Sequence, residues 1–189
     1  MIRIGIVGDI GSGKSFIAYK FGYPVFNADQ EVSKLYKFDK RCFKKLNKVL
    51  PKHILSFPIT KKQIISAIIE NNLNLKKIIK IIHPLIRIKM KKFLHKNKNK
   101  KIIVLDIPLL LENKINNKKD VIVFVESKKK EITKRLKKRK NFNIKLINKF
   151  KKIQLSLEYK KKKSQFIIRN NFSKTFLKKD INRVLETIL

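Results

Sequence analysis

Residues 8–15 read G-D-I-G-S-G-K-S: a glycine, four variable positions, then glycine, lysine and a hydroxyl residue. Glycine enters positive φ cheaply and lets the backbone close on a bulky ligand. All five glycines of the chain, Gly5, Gly8, Gly11, Gly13 and Gly22, fall in its opening residues. The spacing is that of the Walker A loop, in which consecutive backbone N–H groups and a helix N-terminus surround phosphates. On this reading Gly8, Asp9, Ile10, Gly11, Ser12, Gly13, Lys14, Ser15 and Phe16 form a cradle for a nucleoside triphosphate such as ATP. Lys14 would reach the β- and γ-phosphates, and the Ser15 hydroxyl would ligate Mg²⁺.

Phosphoryl transfer also asks for carboxylates, and the chain has only 13 acidic residues against 49 basic ones. Asp106 closes the apolar run K-I-I-V-L-D, which suits either an acidic residue beside Mg²⁺ or a strand-end cap. Asp29 follows V-F-N-A and suits either a group that orients an acceptor hydroxyl and takes its proton or the N-cap of a helix starting near Gln30. The carboxyl ends of parallel strands share one edge, so Asp29, Asp106 and the loop are expected to face the same crevice.

The elements that would hold these residues alternate along the chain. Strand-like runs lie at 2–7, 24–27, 102–106, 121–125 and 166–169, with helical patterns between them. That alternation predicts an α/β fold with a parallel sheet and crossover helices. The interval from about 30 to 100 is too long for one crossover and carries helical patterns in Q-E-V-S-K-L-Y-K, K-Q-I-I-S-A-I-I-E-N-N and L-K-K-I-I-K-I-I. It reads as an inserted helical subdomain. A second interval, 128–163, is strongly basic and helical in pattern, as a mobile lid over the phosphates would be.

The formal net charge is +36, yet only seven of the 49 basic residues are arginine and the lysines run the whole length. A dedicated nucleic-acid surface would show a patch with interleaved aromatics or a reading motif. The expectation is therefore nonspecific RNA adherence at low salt and no specific nucleic-acid partner. The lone Cys42 cannot form an internal disulfide, no leader pattern opens the sequence, and I-I-V-L-D-I-P-L-L-L is too short to span a bilayer. A cytoplasmic protein with no membrane partner, monomeric or a small homo-oligomer, is expected.

The segments G-I-V-G-D-I-G-S-G-K-S, F-N-A-D, I-I-H-P-L-I, L-D-I-P-L-L-L-E, K-R-L-K-K-R, the glutamine of K-K-I-Q, and F-I-I-R-N-N occur in an order that resembles the dephospho-CoA kinase family over nearly the whole chain. The resemblance implies a P-loop kinase fold with a five-stranded parallel sheet, comprising a core at about 1–28, 101–127 and 164–189, a CoA-side helical subdomain at about 29–100 and a helical lid at about 128–163. It implies transfer of the γ-phosphate of ATP, with Mg²⁺, to the ribose 3′-hydroxyl of dephospho-CoA. Carried over by position, Asp29 is the base, and Asp29, His83, Pro84, Pro108, Leu109 and Glu112 are acceptor-side residues. The task of Glu112 is left open, and Pro84 could instead merely start a helix. Ser15 and Asp106 would hold the metal, Asn170 would lie near the adenine, and Arg139 would be the lid arginine. Arg135, four residues before Arg139, would share its helix face and grip phosphate bidentately.

Four departures from the family pattern stand out: Asn27 for the first aspartate of a D-A-D motif, Lys61 for an arginine, Ser164 and Gln165 for A-D before the last strand, and Phe172 for glycine. The last two departures fall on what the resemblance makes the adenine-side loop. Two other readings stay open. One is a different small-molecule P-loop kinase, acting on a nucleoside, a nucleotide or shikimate; the other is a nucleic-acid-binding ATPase whose basic surface is the function.

Overall fold

The β-branched run of residues 2–8, almost free of charge, makes the central strand of the molecule. The computed structural model describes residues 1–138, 142–171 and 174–189. Among these, five strands form one parallel sheet: β1 (Ile2–Gly8), β2 (Val25–Asn27), β3 (Ile102–Asp106), β4 (Val121–Glu126) and β5 (Phe166–Arg169), in the order β2-β3-β1-β4-β5. All five lie where the sequence places them, to within a residue at each end. The strands are apolar on both faces because helices cover both, as parallel sheets require. Every residue of β3 is buried. One face packs Ile4, Ile6, Val104, Val123 and Ile168 under α1 (Lys14–Lys20) and α9 (Lys174–Ile188).

The chain divides into two units. The sheet unit comprises Met1–Asn27, Asn97–Asn143 and Lys151–Leu189; the helical unit comprises Ala28–Lys96 and Ile144–Phe150. The sheet unit also carries α6 (Lys129–Lys137) and α8 (Leu157–Lys162). The helical unit is built on α2 (Ala28–Phe38), α3 (Lys40–Val49), α4 (Lys61–Glu70), α5 (Asn72–Lys96) and most of α7 (Ile144–Lys152). Residues 144–150, which the sequence reading groups with the lid, thus pack with the helical unit. There Lys149 donates through Nζ to the Ile68 and Ile69 carbonyls at 2.7 and 2.9 Å, satisfying the last turn of α4.

Three local features differ from the sequence reading. The basic stretch after residue 143 is two helices, α7 and α8; the second is capped by Ser156, whose hydroxyl accepts from the Tyr159 amide. Pro84 does not start a helix: it sits in the interior of α5. Its missing N–H removes one intrahelical bond, and the other turns of α5 hold the helix together across it. Helix α3, which sequence patterning leaves unmarked, begins at Asp39, whose carboxylate accepts from the Cys42 amide at 2.9 Å.

Candidate functional site

The loop between β1 and α1 sits at the carboxyl end of the central strand, where connections leave toward opposite sides of the sheet. Ligands of open α/β sheets bind at such a switch point. Two glycines are dictated by close approach as well as by dihedral angle. A Cβ on Gly8 (φ 146°) would lie 2.6 Å from the Val125 carbonyl oxygen, and one on Gly11 (φ 87°) would lie 2.9 Å from Leu136 Cγ. The second contact means that α6 is seated on the loop through Ile132 and Leu136, both buried.

The loop is bound from within and from below. The Ser12 amide donates to the Asp9 carbonyl at 3.2 Å, and the Ile10 amide to Asp9 Oδ1 at 2.6 Å. Lys14 folds back over the loop, its ammonium donating to the Asp9 carbonyl at 2.7 Å and more weakly to that of Gly8 at 3.3 Å. A fixed positive charge therefore lies at the loop beside the first amides of α1, which no helix carbonyl can accept. From below, Ser127 Oγ and Asn170 Nδ2 both donate to the Ser12 carbonyl, at 2.9 and 2.8 Å. Asn170, expected beside an adenine, is only 2% exposed and reaches the phosphate loop.

Asp106 ends β3 at 4% exposure, and Asn27, paired with it in register, donates its Nδ2 amide to Asp106 Oδ2 at 2.6 Å. A second carboxylate in place of Asn27 would set two like charges within hydrogen-bonding distance. The amide instead fixes one oxygen of Asp106. Ser15, at the start of α1, is exposed. One carboxylate and one hydroxyl is a donor set that fits Mg²⁺, which takes few protein ligands and completes its shell with phosphate oxygens and water. Among the described residues no cluster of three or more His, Cys, Asp or Glu could hold a metal without such help.

Beside Asp9 opens a cavity of about 560 Å³, lined by the end of β4 at Phe124, Glu126 and Ser127 and by Gln154, Leu155 and Leu157. Gln154 is the glutamine singled out in K-K-I-Q. Glu112 is half-enclosed, taking the buried Lys160 ammonium at 2.8 Å and the Leu155 amide at 3.1 Å on the same oxygen. It thereby ties the segment after β3 to α8. Leu110 packs its Cδ2 where a Cβ of Gly5 would stand, 2.5 Å away, while the intermediate Leu109 takes φ 60° and Pro108 lies partly exposed beside it. Ser164 and Gln165 lie at the start of β5, the end of the sheet away from the loop. There Gln165 accepts through Oε1 from the Ile122 amide at 2.7 Å, so this departure from the family pattern bears on the pairing of β4 and β5.

The helical unit holds the remaining candidates. Asp29 is exposed in the first turn of α2, which starts at Ala28, so it is not the N-cap; its carboxylate lies at the positive end of the helix dipole. His83 is half-buried in α5, and burial, reinforced by the Arg87 charge, lowers its pKa from the usual 6.5, which keeps the imidazole neutral at pH 7. Pro84 beside it is exposed. Arg135 is exposed on α6; Arg139 and Phe172 lie outside the described residues.

The sequence reading missed Ser127, the Asn27–Asp106 bond and Lys160. Position directly after a parallel strand could have flagged Ser127, and strand register could have paired Asn27 with Asp106; no local signal marks Lys160. The chain is similar to known kinases over its full length. The Dephospho-CoA kinase family model matches residues 2–175. A dephospho-CoA kinase of Wolbachia pipientis wMel is 33% identical over 190 residues, covering 98% of this chain and 97% of that protein. A solved structure from Thermus thermophilus superposes with a TM-score of 0.79 at 23% identity, covering 100% of this chain and 98% of the other. The dephospho-CoA kinase from Campylobacter jejuni gives 0.62 at 22%, covering 98% and 96%. At these identities the two structures establish the fold alone.

Proposed function

Because the chain belongs to the dephospho-CoA kinase family, we propose that it transfers the γ-phosphoryl group of ATP to the ribose 3′-hydroxyl of dephospho-CoA, yielding CoA and ADP. The observation that carries this reading at the site is the loop itself: close-packed glycines, a lysine ammonium fixed across it, and a helix N-terminus, all at the switch point of the sheet. The family match over residues 2–175 disfavours the other small-molecule kinases and the nucleic-acid-binding ATPase.

The loop amides and Lys14 hold the β- and γ-phosphates and draw charge onto the leaving ADP oxygen. Asp29 orients the 3′-hydroxyl and accepts its proton as the new O–P bond forms and the bond between the γ-phosphorus and the bridging oxygen breaks. Ser15 and Asp106 would hold Mg²⁺, which when bound neutralises phosphate charge. Arg135 and Arg139 meet the migrating charge, His83 and Pro84 contact the acceptor through a neutral face, and the work is done in the cytoplasm. A lysine-rich surface steers both polyanionic substrates inward and makes the protein adhere weakly to RNA at low salt.

The test is ADP release with MgATP at physiological salt, with and without dephospho-CoA, and with shikimate and nucleoside monophosphates as comparison acceptors. Release that depends on dephospho-CoA and forms CoA is expected; turnover only with another acceptor would overturn the reading. Replacing Asp29→Asn should reduce kcat by about 10²- to 10⁴-fold with ATP affinity unchanged. A loss under tenfold would remove Asp29 from the role of base.

A further inference from the structure

We propose that Ser127 and Asn170 are positioning residues for ATP: by holding the Ser12 carbonyl from two different strands, they aim the Gly13 amide into the phosphate cradle. The inference rests on the reading of the loop as an ATP site. Its starting point is an asymmetry within the loop. Local bonds fix the first half, where Asp9 receives the Ser12 amide and the Lys14 ammonium. The Ser12–Gly13 peptide is instead gripped from outside, by Ser127 Oγ at 2.9 Å and Asn170 Nδ2 at 2.8 Å, residues 115 and 158 positions away.

A trans peptide is planar, so its C=O and N–H point in opposite directions. Pinning the carbonyl toward the sheet therefore turns the Gly13 N–H the other way, to the side on which α1 presents its first amides. Gly13 is the residue before that helix and adopts φ 92°, ψ 21°, a conformation glycine accepts without strain. Freedom of φ at Gly13 is also what makes the peptide easy to flip, and the clamp removes that freedom. Both lone pairs of the carbonyl are used, and Ser12 is fully buried, so water cannot stand in for a lost donor.

The two donors are themselves held in relative place. Ser127 directly follows β4 and Asn170 directly follows β5, strands paired in register at Glu126 and Arg169. The Asn170 amide donates to the Glu126 carbonyl at 2.7 Å, so the ends of the two strands move together. The phosphate loop is thus aligned by the sheet on its far side, and Asn170 acts at the phosphate end of the nucleotide.

The experiment compares Ser127→Ala, Asn170→Leu, the double variant and Ser127→Thr with the wild type. Asparagine to leucine keeps the size and branching and removes the donor without adding a charge; threonine keeps the hydroxyl. The readouts are ADP dissociation constant by calorimetry, KM for each substrate, and melting temperature without nucleotide. Each single loss should weaken ADP binding and raise the ATP KM about five- to tenfold, the worth of one hydrogen bond. The double variant should lose more than the product of the two, because either donor alone still holds the carbonyl. The KM for dephospho-CoA should stay within about twofold, and Ser127→Thr should restore ADP affinity. If Ser127→Ala and the double variant bind ADP as the wild type does and only melt earlier, the bonds merely stabilise the fold and the clamp is wrong. A wild-type protein that bound no ADP would overturn the ATP reading and the clamp with it.

Discussion

The two edges of the sheet are built on opposite plans from the same strands. At the carboxyl edge, polar groups are brought together around a loop with positive-φ glycines and beside a cavity of about 560 Å³. At the amino edge they are closed on one another: Arg3 Nη2 donates to Asp120 Oδ2 at 2.9 Å, the Asn117 amide donates to the same oxygen at 2.9 Å, and Gln165 extends the pairing of β4 and β5. The Arg3 and Asp120 side chains are 13% and 2% exposed. One edge gathers its polar groups around a loop and beside a cavity, and the other closes them on the starts of the strands. Substitutions at the two edges should therefore read out differently.

The largest effect is expected at the amino edge. Asp120→Ala leaves the Arg3 guanidinium enclosed without its carboxylate, and breaking such a buried pair costs about 3–5 kcal/mol. Urea denaturation should show that loss while the KM for ATP stays unchanged. The pH dependence carries a sign of its own. Burial raises the Asp120 pKa above its ordinary 3.8 despite the Asn117 and Arg3 bonds that lower it. The folded state thus binds this proton more tightly than the unfolded state, and the carboxyl's contribution to stability falls as pH rises from about 3.8 through the folded pKa. Asp120→Asn should remove that slope. A change in ATP KM with either variant would break the contrast between the edges.

Glu112 sharpens the comparison because it follows β3 on the carboxyl side yet is built like the amino edge. If its role is to hold Lys160 and the Leu155 amide, Glu112→Gln should keep the amide bond, lose the charge pairing and destabilise by about 1–3 kcal/mol, with the KM for dephospho-CoA unchanged. A selective rise in that KM would return Glu112 to the acceptor side. The measurement is a melting curve paired with a KM determination on the same preparation.

What the sequence revealed and what it hid follow the range of the interactions involved. All five strands were legible because a buried parallel strand needs a continuous apolar run, and the loop because its glycines are demanded by local backbone geometry. Helix α3 escaped notice because only Cys42 and Leu46 of its ten residues are buried, which leaves a thin apolar stripe among lysines. Its Asp39 cap was the available sign. The break between α7 and α8 was hidden by the uniform lysine content of both, although Ser156 marks it. The Ser127 and Asn170 contacts to Ser12 join residues 115 and 158 positions apart; Lys160 meets the Glu112 oxygen that also takes the Leu155 amide, 43 positions from Glu112. Only the folded sheet brings them together: position after a strand can mark Ser127 or Asn170, but nothing along the chain names the carbonyl they share.

The smallest expected effect lies at Glu126, on the rim of the cavity. Its carboxylate receives Lys161 at 2.7 Å and faces Arg169 at 3.5 Å, and chiefly the Lys161 hydrogen bond holds its pKa below the usual 4.5. The side chain is 36% exposed, so solvent screens the pair and its worth is under about 1 kcal/mol. The lowered pKa means that this contribution is present above about pH 4.5 and is lost as pH falls through the folded value. Glu126→Gln should therefore differ from the wild type by a few tenths of a kcal/mol at neutral pH, less at high salt, and not at all in acid. An ion pair this exposed breaks at little cost, whereas breaking the enclosed pair of Arg3 and Asp120 costs several kcal/mol. Equal destabilisation by Glu126→Gln and Asp120→Asn, measured by urea denaturation in 0.1 and 1 M salt, would mean that the two edges are held by the same kind of interaction after all.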